Sequence, residues 1–288
     1  MRPKDWSKNG FIFAGILFDQ QLTNADALLR ILATFALFSL TASAVYLMND
    51  LVDIERDRQH PRKRNRPLPS GQLPVSLAMG AAVFLPIFTI GSALLMSWPL
   101  AAILAIYFIK QVGYSFYLKN VVLLDVFTVA AGFVLRTIAG VVVIEVTNFS
   151  PWLYVCAGLL ALFLGVGKRR QELILLQEAE SVSDVTTVRT TFKNYNLSLL
   201  DDMLRMVVTA CAIAYTLYAV EAETALVATE YMLMTVPFVY YALFRYLYLI
   251  HVEGKGGDPT DVLFEDRPLL ASIGLWGLLL VVLLYIVG

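Results

Sequence analysis

Between Leu73 and Ile109 the chain carries no Asp, Glu, Lys, Arg or His, and Trp98-Pro99 stands in the middle of that run. The hydrocarbon core of a bilayer is crossed by about 20 residues of helix. The run is therefore too long for one crossing and suits two helices joined by a tight turn at the proline. A water-soluble domain could not hide such a run, nor a chain of 288 residues that is 58% hydrophobic and only 16% charged. This is the pattern of a polytopic helical membrane protein.

The other apolar stretches extend the count. Ile31 to Met48 is uncharged, Val146–Gly167 and Pro268–Gly288 have the length of single spans, and interrupted spans are expected at Val121–Glu145, Met203–Val220 and Tyr231–Ile250. Trp6 to Leu22 is weakly apolar, with Lys8, Asn9, Gly10 and Asp19 inside it. Its apolar core is interrupted and no small-residue cleavage site follows, so it reads as a short first helix rather than a signal peptide. The expectation is an all-α protein with nine transmembrane helices, one domain over residues 1–288. Cys156 and Cys211 both fall in spans and read as small apolar packing residues.

Charge sets the orientation. With nine helices and a cytoplasmic N-terminus, the external segments near Asp19–Asp26, Trp98, Glu145–Pro151, Glu221–Glu230 and the C-terminus carry only acidic charges, apart from Arg30 at a helix start. Almost all of the 22 Lys and Arg fall on the other side or within spans. The positive-inside rule then favours a cytoplasmic N-terminus with that basic face toward the cytoplasm, and the plasma (inner) membrane is the expected location.

On that face the most informative segment is Asn49-Asp50-Leu51-Val52-Asp53-Ile54-Glu55-Arg56-Asp57. At about 100° per residue, Asp50, Asp53 and Asp57 share one helical stripe flanked by Asn49, while Glu55 points away. Carboxylates so placed repel one another unless a cation sits among them. Hard oxygen ligands suit Mg²⁺, which is usually held by one or two carboxylates together with substrate phosphates. Arg56, Arg58, His60, Arg62, Lys63, Arg64 and Arg66 follow at once, a basic run matched to a polyanion. Together they suggest metal-assisted handling of a diphosphate at the membrane surface. The bland alternative is a solvated helix end with self-compensating charges.

Three further segments join this face. Tyr114 to Asn120 is a short turn, followed by Asp125 and Arg136 on one face of the next span; charges inside a span line a cavity or find a partner. Gly167-Lys168-Arg169-Arg170-Gln171-Glu172 places Lys168 and Glu172 at i, i+4, which a plain stop-transfer cluster would not require. Gly256 to Asp261 and Glu265-Asp266-Arg267-Pro268 form a turn-rich cap. The two histidines, His60 and His251, sit in no recognisable triad, and no phosphate-binding glycine loop is present. Hydrolase-type nucleophilic catalysis and ATP-driven transport are thereby disfavoured. The bilayer is an expected partner, nucleic acid is not, and small residues at Ala130, Ala131, Gly132, Ala139 and Gly140 would permit close helix contacts, including those of a homo-oligomer.

Asn-Asp-x-x-Asp-x-x-x-Asp at 49–57, followed by Arg66-Pro67-Leu68-Pro69-Ser70-Gly71, resembles the first motif of the UbiA superfamily of intramembrane prenyltransferases. Arg2 to Asn9, Ala44 to Asp50, His60 to Pro67, Gly167-Lys168-Arg169 with Glu172-Leu173, and Asp266-Arg267 are similar to one branch, the decaprenyl-phosphate phosphoribosyltransferases. The likeness runs over essentially the whole chain. It departs from the aromatic prenyltransferases, whose second Asp-x-x-x-Asp motif is replaced here by Lys168, Arg169 and Glu172.

The resemblance implies nine helices around a central cavity open to the cytoplasm. It implies transfer of 5-phosphoribosyl from phosphoribosyl diphosphate to a polyprenyl phosphate, such as decaprenyl phosphate, with release of diphosphate; in the branch the product feeds arabinose donors of the cell envelope. Asn49, Asp50, Asp53 and Asp57 would take Mg²⁺ and the donor diphosphate. Arg58, Arg62, Arg64, Lys119, Lys168 and Arg169 would clamp phosphates, Tyr114 and Glu172 would order ribose hydroxyls, and Lys8 would meet the acceptor phosphate. The isoprenoid tail would lie in an apolar groove. Two competitors stand beside this reading: a prenyl diphosphate donor with an aromatic or lipid acceptor, and a transporter whose charges line an ion path through the bundle.

Overall fold

A computed structural model describes residues 3–59, 63–146, 150–180, 194–221, 229–255 and 259–287. They form helices α1 (Ala14–Phe18), α2 (Ala25–Val52), α3 (Ile54–Gln59), α4 (Val75–Met96), α5 (Trp98–Phe116), α6 (Leu124–Val143), α7 (Pro151–Glu180), α8 (Leu197–Glu221), α9 (Thr229–Met232), α10 (Val236–His251), α11 (Pro259–Glu265) and α12 (Arg267–Val282). Among the described residues, eight helices are long and apolar enough to cross a membrane. The chain is an integral membrane protein. The uncharged run divides as expected: α4 ends at Met96, Ser97 leaves the helix at φ −165°, and α5 begins at Trp98.

The ninth expected element takes a different form. Pro3–Phe13 is a 3₁₀ helix that passes into the short α1. So long a 3₁₀ run is unusual, and close packing accompanies it. A Cβ placed on Gly140 would lie 2.0 Å from the Ile12 carbonyl oxygen, so only glycine in α6 admits the N-terminal strand of helix at this distance. The basic triple at 168–170 also differs from expectation. It does not end a helix, because α7 continues to Glu180.

The described residues fall into two compact units. The first takes Met1–Ile16, Leu22–Tyr117 and Leu135–Glu145; the second takes Leu17–Gln21, Leu118–Val134 and Val146–Gly288. In the first, α2 packs on α4, α5 and the N-terminal 3₁₀ helix. It is buried on more than one side, at Ser39, Thr41 and Ser43, small residues whose hydroxyls bond within or across helices: Thr41 Oγ1 donates to the Leu37 carbonyl and lies within hydrogen-bond distance of Thr89 Oγ1 on α4, both at 2.8 Å. Such interhelical bonds contribute roughly 0.6 kcal/mol each. The outward face of α4 is apolar, with Leu77, Val83, Phe84, Ile87 and Leu95 exposed as a lipid-facing helix requires.

In the second unit α7 packs along α8, and α10 against α8 and α12. A core of Phe163, Val166, Leu200, Leu204, Tyr246 and Leu249 fills the space among them. Arg170 ties these helices near their ends: its Nε bonds Asp201 Oδ1 at 2.6 Å and its Nη1 donates to the Ile250 carbonyl at 3.2 Å. Asp266 caps α12 by accepting from Leu269 N at 2.8 Å and pairs with Arg245 Nη2 at 2.8 Å.

Candidate functional site in two parts

The acidic stripe lies in the first unit, where α2 runs out. Asp53 is the C-cap of α2, with φ −96° and ψ 9°, and α3 starts at Ile54. The expected single helix through Asp57 is therefore broken. Its hydrogen-bond spacing survives the break, since Asp53 N donates to Asn49 O at 3.0 Å and Asp57 N to Asp53 O at 2.8 Å. Asp57 is nearly fully buried, whereas Asn49, Asp50 and Asp53 are half-buried. Glu55 faces outward, as the spacing predicts, and pairs with Arg58 at 2.7 Å.

Arg66 reaches back to these acids. The turn Arg66-Pro67-Leu68-Pro69-Ser70-Gly71 is closed by Ser70 N to Arg66 O at 3.0 Å and Gly71 N to Leu68 O at 3.1 Å, with Leu68 buried. Gly71 stands at φ +81°, a conformation that favours glycine. The turn thereby fixes the Arg66 backbone. Its Nη1 donates to Asp57 Oδ2 at 2.7 Å and to Asp50 Oδ1 at 3.1 Å. Two carboxylates thus converge on one cationic nitrogen. Among the described residues no three carboxylate, imidazole or thiol groups meet at a point. Two carboxylates are nonetheless the usual protein contribution to a Mg²⁺ bound with substrate phosphates, so the donor set fits that ion. Arg66 was legible only as part of a basic run, because a partner across a reversing turn leaves no periodic trace.

The remaining expected site residues in the first unit are spread more widely. Arg64 and Arg58 are exposed, and Lys8 and Tyr114 half-buried. Arg62 lies outside the described residues. Arg136 is buried with Asn9 and Tyr107: its Nε donates to Asn9 Oδ1 at 2.6 Å, its Nη2 to Tyr107 Oη at 2.9 Å, and its guanidinium carbon is 4.9 Å from the Tyr107 ring centre. Asn9 in turn donates to Ser39 Oγ at 2.9 Å. The intramembrane arginine is thus satisfied by amide, phenol and ring face. It braces the N-terminal 3₁₀ helix against α2, α5 and α6.

In the second unit, Lys119 sits half-buried in a 3₁₀ turn, Leu118–Asn120, and Lys168, Arg169 and Glu172 lie on α7. Glu172 Oε2 is bonded to Arg169 Nη1 at 2.5 Å, while Arg169 Nε faces the buried Asp125 Oδ2 at 2.7 Å. Asp125 Oδ1 accepts the Tyr195 hydroxyl proton at 2.8 Å. Burial, together with the Asp125 carboxylate, pushes the Tyr195 phenol up to about 12, so it remains a donor across the physiological range. Arg169 is accordingly engaged by two carboxylates. Elsewhere on this unit an open apolar groove of about 400 Å³ runs between α10 and α12, lined by Phe238, Tyr241, Ala271 and Leu275 among others.

The sequence profile described as the UbiA prenyltransferase family matches residues 10–259. A decaprenyl-phosphate phosphoribosyltransferase of Corynebacterium glutamicum is 33% identical over 99% of this chain and 86% of its own length. One of Mycobacterium tuberculosis is 31% identical over 93% of this chain and 87% of its own. Among solved structures, a UbiA homolog from Archaeoglobus fulgidus bound to DMAPP and Mg²⁺ superposes with a TM-score of 0.71 at 16% identity, covering 99% of this chain and 97% of that one. This last likeness bears on the fold.

Proposed function

We propose, given that the chain belongs to the UbiA prenyltransferase family, that it is the phosphoribosyltransferase of a polyprenyl phosphate, with residues 1–288 acting as one transferase domain. The observation that carries this reading is the 33% and 31% identity, over 99% and 93% of the chain, to two decaprenyl-phosphate phosphoribosyltransferases. The geometry adds a paired-carboxylate site of the type a diphosphate–metal complex requires.

The donor is phosphoribosyl diphosphate and the acceptor a polyprenyl phosphate such as decaprenyl phosphate. The bond from ribose C1 to the diphosphate oxygen breaks, and the electron pair leaves with diphosphate. An acceptor phosphate oxygen forms the new bond to C1. That oxygen is already anionic near neutral pH, so no strong general base is needed. Asn49, Asp50, Asp53 and Asp57 would hold Mg²⁺, which when bound neutralises charge on the leaving diphosphate. Arg58, Arg62, Arg64, Lys119, Lys168 and Arg169 bind phosphate oxygens, where charge-assisted hydrogen bonds are strongest. Tyr114 and Glu172 orient ribose hydroxyls, and Lys8 meets the acceptor phosphate. The chain lies in the plasma (inner) membrane with these groups toward the cytoplasm. Close helix contacts through exposed small residues such as Ala131 would support a homo-oligomer.

The test is transfer of labelled phosphoribosyl diphosphate to decaprenyl phosphate by purified protein, with and without Mg²⁺, beside Asp50→Asn. A Mg²⁺-dependent lipid product that falls by at least about 100-fold in the variant is expected. Turnover of a prenyl diphosphate with an aromatic acceptor, and none of phosphoribosyl diphosphate, would overturn the proposal.

A further inference from the structure

Five groups of the second unit form one continuous chain of polar contacts. Leu123 N donates to Tyr195 Oη at 2.8 Å; Tyr195 Oη donates to Asp125 Oδ1 at 2.8 Å; Asp125 Oδ2 pairs with Arg169 Nε at 2.7 Å; Arg169 Nη1 pairs with Glu172 Oε2 at 2.5 Å. Asp125 is completely buried and the Arg169 side chain is 7% exposed, whereas Glu172 at the end of the chain is 33% exposed. The arrangement runs from a sealed interior to an accessible carboxylate. Its other end holds a backbone under constraint: Leu123 is a non-glycine residue at φ +68°, three residues after the turn that carries Lys119.

A buried ion pair contributes little net stability compared with a well-packed apolar pair, because both charges must be desolvated. What it does supply is geometry. Asp125 has one oxygen for Tyr195 and one for Arg169, so it sets their relative position. The ion pair with Asp125 places the Arg169 guanidinium, whose Nη1 donates to Glu172 Oε2 and so presents that carboxylate. Tyr195 uses its single hydroxyl twice, as acceptor from the Leu123 amide and as donor to Asp125. The loop that bears Lys119 is thereby pinned to the helix that bears Lys168 and Glu172.

We propose that Asp125 and Tyr195 are positioning residues of this enzyme. They do not touch substrate; they act through Arg169 on Glu172 and through Leu123 on the Lys119 loop, and so determine how tightly the ribosyl donor is held. The inference rests on the assignment of Lys119, Lys168 and Glu172 to donor binding made above. Tyr195→Phe removes one hydroxyl and keeps the ring in its apolar setting, where Tyr195 is 6% exposed among Leu200, Leu204 and Val262. Asp125→Asn keeps the shape and removes the charge.

The experiment measures kcat and KM for phosphoribosyl diphosphate in the full-length protein carrying Tyr195→Phe, Asp125→Asn, Glu172→Gln and the double Asp125→Asn/Glu172→Gln. Amide hydrogen exchange at residues 118–123 of the ligand-free protein is followed alongside. Expected are a KM raised about tenfold by Tyr195→Phe, the scale of one lost hydrogen bond, with kcat within about threefold. Asp125→Asn should raise KM clearly less in the Glu172→Gln background than in the wild type, the remainder passing through Leu123 to the Lys119 loop, and Leu123 should exchange faster in Tyr195→Phe. Fully additive effects of Asp125→Asn and Glu172→Gln, or a Tyr195→Phe protein with unchanged KM and unchanged Leu123 exchange, would overturn the proposal. Should the wild type reject phosphoribosyl diphosphate and turn over a prenyl diphosphate, the functional assignment fails on its own. The same variants are then read with that donor, and Leu123 exchange still reports on the tie.

Discussion

Arg66 lies between Asp50 and Asp57, and its charge has two consequences. Without metal it offsets the repulsion between two carboxylates, one of them 4% exposed. With metal present that role is shared. Arg66→Gln is therefore expected to destabilise metal-free protein by about 2 kcal/mol, the scale of hydrogen bonds between charged groups. The same variant should gain more thermal stability from Mg²⁺ than the wild type does. Unfolding midpoints in detergent with and without Mg²⁺ check this; equal Mg²⁺ increments in the two proteins would show that Arg66 and the ion do not share the carboxylates. The acids themselves were readable in the sequence because helical periodicity is a local property. Arg66 was not assigned to them, since a turn of two prolines and a glycine decides where its side chain returns.

Helix by helix, close approach and capping decide what each element tolerates. Gly140→Ala would drive a Cβ into the Ile12 backbone carbonyl, and overpacking against backbone costs about 3 kcal/mol or more. A lower unfolding midpoint is expected for that variant. Gly80→Ala in α4 serves as control, since a Cβ there meets nothing within 4 Å and alanine favours helix; it should be neutral or slightly stabilising. At the start of α12 the Arg245 guanidinium holds the Asp266 carboxyl below the ordinary carboxylate range. The folded state thus binds the proton less readily than the unfolded one. This contribution is fully present above the ordinary value near ~3.9 and is lost as pH falls through the lower folded value. Asp266→Asn should lower stability at neutral pH and flatten the acid limb of a midpoint-against-pH profile. An unchanged acid limb would show that another group governs it.

For the molecule in its membrane, sidedness is the testable property. Helix α2 has 28 residues, about 42 Å at 1.5 Å per residue, enough to cross a hydrocarbon core of ~30 Å. Asp26 near its start is 73% exposed and Glu55 just beyond its end is 75% exposed. In a Cys156→Ala/Cys211→Ala background, a membrane-impermeant maleimide should label Asp26→Cys in intact cells. Glu55→Cys should be labelled only in inverted vesicles. The reverse pattern would turn the acidic site away from the cytoplasm and remove it from a cytoplasmic donor.

The sequence by itself determined the membrane class, the division of Leu73–Ile109 at Trp98-Pro99, and the acid positions at 50, 53 and 57. Each follows from composition or from a period of a few residues, which any helix must obey wherever it packs. It also carried the family resemblance, because the motifs are contiguous. Only the tertiary structure decided that α2 breaks at Asp53, that the N-terminus is largely 3₁₀, and which charges pair. Arg136 with Asn9, 127 positions apart, and Tyr195 with Asp125, 70 apart, meet because particular helices pack together. Inside an apolar bundle every charge must find a partner. Spacing along one helix names the charges in need, and packing among helices chooses what answers them.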